Sequence, residues 1–109
     1  MTIVIPKVTL WGQNLKCVEV DISTYRDGTL AMGLFTLNGD DLATVTVNLA
    51  AYDLVPAEGA MFIKDYSEGE GVANALRSVG LIVFTGRREY VGPYGVQVIE
   101  VRLAEDNIA

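Results

Sequence analysis

The sequence predicts an α+β domain: a mostly antiparallel sheet of six or seven strands built from hairpins, with one amphipathic helix packed on it. Three observations carry that reading. Apolar and polar residues alternate over most of the chain, which is the signature of half-buried strands. One stretch, from Ser67 to Gly80, changes to an apolar repeat of three and four residues. A chain of 109 residues, 50% of them hydrophobic, has the size of one domain with one core, so residues 1–109 are expected to form a single unit with 104–109 a fraying polar tail.

The first hairpin is expected to turn through a three-residue loop at Gly12, Gln13 and Asn14, pairing Val8 with Val18 and Val4 with Ile22. Pro6 cannot donate a ladder hydrogen bond, so its strand is expected at a sheet edge or paired there only on its other side. In GTLAMGLFTLNGDDLATVTVNL, Asn38-Gly39 is the dipeptide preferred by a two-residue type I′ turn. That turn would set Leu34 opposite Ala43, Met32 opposite Val45 and Leu30 opposite Val47, all on one face. Thr44, Thr46 and Asn48 would then lie on the other face. LAAYDLVPAEG, broken by Pro56 and Gly59, reads as a connection into a short strand, AMFIK.

Ser67 and Glu70 fit a capping box, in which each side chain satisfies the other's backbone amide. Val72, Ala75, Leu76 and Val79 make an apolar stripe, Arg77 suits the last turn, and Gly80 supplies the stop of a helix of about 12 residues. LIVFTGRREYVG and YGVQVIEVRL then read as two strands joined at Gly92-Pro93-Tyr94-Gly95. Ile99, Val101 and Leu103 would face inward, with Gln97, Glu100 and Arg102 at polar positions.

Composition narrows the chemistry. The chain has no histidine, so Ser-His and Cys-His pairs and imidazole metal ligands are not available to it. The single cysteine, Cys17, allows no internal disulfide and no thiolate zinc site, and its alternating context predicts a buried packing thiol. With 8 Lys and Arg against 14 Asp and Glu, net charge −6, direct nucleic-acid binding is not expected, and a basic protein surface is the complementary partner. No apolar run reaches the ~20 residues of a membrane helix. The opening MTIVIPKVTLW has no basic leader or cleavage site, which predicts no membrane association and a cytoplasmic location.

Two motifs invite a ligand and are better explained by folding. Gly69 and Gly71 form G-x-G, yet Asn74 stands at the third glycine position, and Glu68 and Glu70 already occupy the positive end of the helix, where they would compete with a phosphate. Asp40 with Asp41, and Asp65 with Glu68 and Glu70, lack the spacing of a dedicated cation loop; no metal or cofactor is expected. A paired-carboxylate glycosidase would need more room for a sugar cleft than this chain offers.

Aromatic and basic residues come together at Tyr25 and Arg26 and, more densely, at Arg87, Arg88, Tyr90 and Tyr94. Arg and Tyr are enriched in interface hot spots, so the second group is the candidate partner-binding set; the plainer reading is a solvated hairpin tip.

ATVTVNL (43–49), FIKDYSEGEG (62–71), the helix end from Leu76 to Leu81 and TGR (85–87) together resemble a family of small bacterial proteins of unknown function found on conjugative elements and prophages of gut-associated Gram-positive bacteria. Its pattern is TVNL, then KDYSENEG, then TGR; Gly69 stands here where that family has Asn. The resemblance covers roughly residues 20–103. It implies a mobile-element accessory protein, not an enzyme, and its context suggests a protein that binds host defence machinery, for example an anti-CRISPR inhibitor. The function expected is therefore non-enzymatic protein binding, with a homodimer through a sheet edge compatible with the fold. The alternative is a small-ligand or nucleotide-sensing module, which would need a concave pocket with convergent polar groups.

Overall fold

The computed structural model describes residues 2–65 and 71–104. The strands in order are β1 (Thr2–Leu10), β2 (Gln13–Thr24), β3 (Leu30–Phe35), β4 (Asp41–Thr44), β5 (Thr46–Val47), β6 (Ala60–Lys64), β7 (Ile82–Val91) and β8 (Val96–Leu103); helix α1 (Val72–Ser78) lies between β6 and β7. They form two four-stranded sheets, β1-β2-β3-β4 and β5-β6-β8-β7, in which every pair is antiparallel. The mostly antiparallel architecture with one helix is as expected, but among the described residues the strands number eight and divide into two sheets.

Val45 is where the sheets part. Its N–H donates to the Met32 carbonyl at 3.0 Å and its carbonyl accepts from Lys64 N–H at 3.0 Å, so one residue is bonded into both sheets. Beyond it Thr46 and Val47 pair with Ile63 and Phe62, and the expected pairing of Val47 with Leu30 gives way to that crossing. Thr46, expected on an outer face, is buried. Its Oγ1 accepts from Met32 N–H at 3.0 Å, standing in for the ladder carbonyl lost when the chain swings out, and lies 2.9 Å from Tyr25 Oη.

The turn before it also differs. Leu34 faces Ala43 as expected, but Phe35 faces Asp41, with a bulge between. Gly39 N–H donates to Thr36 O and Thr36 N–H to Asp40 O, both at 2.9 Å, closing a three-residue loop in which Gly39 (φ +86°) alone takes positive φ. Two positive-φ residues define a type I′ turn, so Asn38-Gly39 does not form one; the pattern is that of a tight turn ending in a glycine bulge.

The first hairpin makes the two-residue turn instead, at Trp11 and Gly12 (φ +54° and +73°), with Leu10 opposite Gln13, Ile5 opposite Val18 and Ile3 opposite Val20. The expected register fails because alternation slips in both strands at one level. Ile5 and Val8 are both buried although three apart, and Pro6, Lys7, Lys16 and Cys17 all face out. Cys17 has φ +56° and is exposed, not the packing thiol expected. Strand β1 does lie at a sheet edge, as Pro6 requires.

The two sheets enclose the main core: Val20, Leu34 and Met32 from one, Met61, Ile63, Ile99 and Val101 from the other. Helix α1 adds Val72, Ala73 and Leu76 and touches β1, an edge strand of the first sheet, and β6 and β7 of the second, so it bridges the two sheets. Val79, expected in the stripe, is exposed. Gly80 (φ +80°) ends the helix as expected: its N–H reaches Arg77 O at 3.0 Å and Leu81 N–H reaches Leu76 O at 3.1 Å, a Schellman pair. Gly71 precedes Val72 in the left-handed conformation, and its N–H donates to Asp65 Oδ1 at 3.1 Å. The capping box of Ser67 and Glu70, with Glu68 and Gly69, lies outside the described residues. So does the tail beyond Ala104, whose N–H is bonded to Leu81 O at 2.9 Å. No helix among the described residues is long and apolar enough to cross a membrane.

Candidate functional site

The second sheet is covered on both faces. Its inner face lines the main core; over its outer face runs the connection between β5 and β6, residues 48–59, which lays Leu49 and Leu54 against Phe62, Val91 and Val98 to form a second, smaller core. The connection behaves as a strap tied at both ends. At its start Asn48 Nδ2 donates to Asp27 Oδ2 at 3.0 Å, and Asn48 Oδ1 accepts from Ala50 N–H at 2.9 Å, opening a single 3₁₀ turn, Ala50–Tyr52. Asp27 also takes the N–H and hydroxyl of Thr29, and these bonds, led by the Thr29 hydroxyl, hold its carboxyl below the usual carboxylate range.

The far end is held by Glu100 and Arg87. Glu100, expected at a polar position of the last strand, is 3% exposed on the strap side of β8. It accepts from Ala57 N–H at 3.0 Å, from the Thr85 hydroxyl and from Arg87 Nη1 at 3.2 Å. Burial pushes its carboxyl up, but those three donors and the charge of Arg87 outweigh burial, leaving it below the ordinary value. Arg87 also donates to Val55 O at 2.9 Å and to Glu89 at 3.1 Å, and its guanidinium lies 5.1 Å from the Phe62 ring centroid. Its guanidinium is thus engaged within the molecule.

The other three candidate residues are placed differently. Strand alternation turns Arg88 and Tyr90 to the opposite face of β7 from Arg87. There Gln97 Oε1 accepts from Tyr90 Oη at 3.1 Å and from Arg88 Nη1 at 3.4 Å, while Gln97 Nε2 donates to Asp65 Oδ2 at 2.8 Å. Tyr90 remains 67% exposed. Tyr94, on the Gly92–Gly95 turn closed by a 3.1 Å bond from Gly95 N–H to Gly92 O, is 91% exposed and projects from the tip.

Between tip and strap lies an open groove of about 280 Å³, floored by Val47, Val91 and Val96 and flanked by Tyr94 and Tyr52. Tyr52 is 55% exposed, and its hydroxyl reaches toward the tip: a Cβ placed on Gly92 would lie 3.8 Å from it. Gly92 has φ +77°, so glycine is required there for the turn itself. Tyr52 was not legible as part of this site, because a tyrosine in an aperiodic connection carries no face assignment until the connection folds. Neither Lys nor Arg lines this groove or the smaller hollow beside it, which includes Asp27.

Among the described residues no cluster of three or more carboxylate or thiol groups could hold a metal ion. No family model matches the chain, and comparisons with characterised proteins and with solved structures find no match.

Proposed function

We propose that the protein is non-enzymatic and works by occluding a protein partner, through the end of the molecule where the closing hairpin meets the strap. The carrying observation is the placement of Tyr94 and Tyr52, both largely exposed, on either side of the groove at that end, with Tyr90 exposed on the other face of the same hairpin. Tyrosines of this kind offer large contact area at low conformational cost, and they dominate binding where they cluster. Arg88 lies with Tyr90 on the face of the same hairpin turned away from the strap, whereas Arg87 holds the strap from within. A net charge of −6 suits a partner with a basic face, such as a nucleic-acid-binding host protein. The resemblance to mobile-element proteins supplies a setting, an accessory protein that restrains host defence. The small-ligand alternative is less favoured because the groove is open and, at about 280 Å³, smaller than the ~300–1,000 Å³ of pockets that engulf a ligand.

Affinity capture from a bacterial lysate with the wild-type chain and with folded Tyr94→Ala and Tyr90→Ala variants tests this. A protein retained by the wild type and lost by the variants is expected; identical capture by all three would refute the proposed surface.

A further inference from the structure

We infer that the groove between Tyr52 and Tyr94 is a seat for a proline-rich segment of the partner, in polyproline II conformation and carrying a basic residue at one end. The inference rests on the protein-binding reading above and names the chemistry of what is bound. Three features point to it. The groove is shallow and apolar along its floor, with Val47, Val91 and Val96, so it fits an extended apolar ridge better than a compact ligand. Exposed tyrosines flank it, and proline rings pack well on such aromatic faces because a polyproline II segment is preformed and loses little entropy on docking. The backbone of that conformation has no internal hydrogen bonds, so it requires only scattered polar partners; Asn48 at the groove wall and the Tyr52 hydroxyl are such groups.

Charge decides the flank. Asp27 lines the adjoining hollow, which shares Val47, Asn48 and Leu49 with the groove, and Asp53 is exposed next to Tyr52. No cation lines either hollow among the described residues. Arg87, on the strap face of β7, is neutralised by Glu89 and Glu100. An arginine or lysine beside the proline run therefore meets uncompensated negative charge.

The probe is a short dye-labelled Arg-Pro-x-x-Pro peptide, followed by fluorescence anisotropy, beside one peptide with the prolines replaced by alanine and one with the arginine replaced by glutamate. Saturable binding of the first is expected, weakened about tenfold or more by either peptide change and by Tyr52→Ala or Tyr94→Ala in variants whose circular dichroism is unchanged. Equal binding of the alanine peptide, binding that survives both tyrosine variants, or no binding of any peptide would each overturn the inference. If no peptide binds while lysate capture still depends on Tyr94, the polyproline assignment falls and the protein-binding surface stands. If capture is also indifferent to the tyrosines, both fall.

Discussion

The Nη1 atom of Arg87 lies 3.2 Å from the Glu100 carboxylate and 2.9 Å from the Val55 carbonyl, so one guanidinium nitrogen ties β7 to both β8 and the strap. Arg87→Ala would leave a buried carboxylate without its countercharge and free the strap carbonyl. The expected loss is about 1–3 kcal/mol, less than for a wholly buried pair because the Arg87 side chain is 35% exposed. Urea denaturation of the variant measures it; no change in midpoint would mean that the strap is held by Leu49 and Leu54 alone.

Acid should loosen the same contact. The folded-state carboxyl of Glu100 titrates below its ordinary value of 4.5, so folding favours its charged form. The stability it contributes is complete above pH 4.5 and disappears as pH falls below 4.5 through the folded-state value. Asp27 acts in the same direction below its ordinary 3.8. Melting temperatures measured from pH 6 to pH 3 are expected to fall less steeply in Glu100→Gln than in the wild type. Parallel curves would show that other carboxylates govern acid sensitivity.

The glycine bulge makes an asymmetric prediction. Gly39→Ala forces a Cβ into left-handed backbone and should cost roughly 1–2 kcal/mol. Leu37→Pro should be tolerated, since Leu37 is exposed and the first central position of such a turn accepts proline. Thermal melts of both variants compare the two; a stable Gly39→Ala would contradict the turn assignment.

At the crossing, Thr46→Val keeps the volume and removes the oxygen that accepts from Met32 N–H. An unsatisfied buried amide is expected to cost about 1–3 kcal/mol. Tyr25→Phe, which leaves Thr46 bonded to Met32, should cost less. Chemical denaturation of both variants checks the order, and the reverse order would place the important bond at Tyr25.

Local signals were sufficient for much of the fold. Glycine and proline punctuation located the closing turn at Gly92–Gly95, the helix stop at Gly80 and the edge position of Pro6, because each depends on backbone freedom that neighbouring residues determine. Period-two alternation identified the strands, yet it assigned Glu100 and Thr46 to the wrong surroundings. Alternation distinguishes two faces of a strand but assumes that one of them meets water. In this protein the strap covers the outer face of the second sheet, so Glu100 is buried and requires Arg87, Thr85 and Ala57 as partners. Likewise the break at Val45 depends on Met32 taking its N–H while Lys64 takes its carbonyl, a pair of long-range contacts that no local pattern records. The candidate surface divides in the same way. Tyr94 on its projecting turn was legible from composition, whereas its companion Tyr52 and the inward role of Arg87 were decided only when the strap folded back across β6 and β8, because burial depends on what covers a residue and not on its own chemistry.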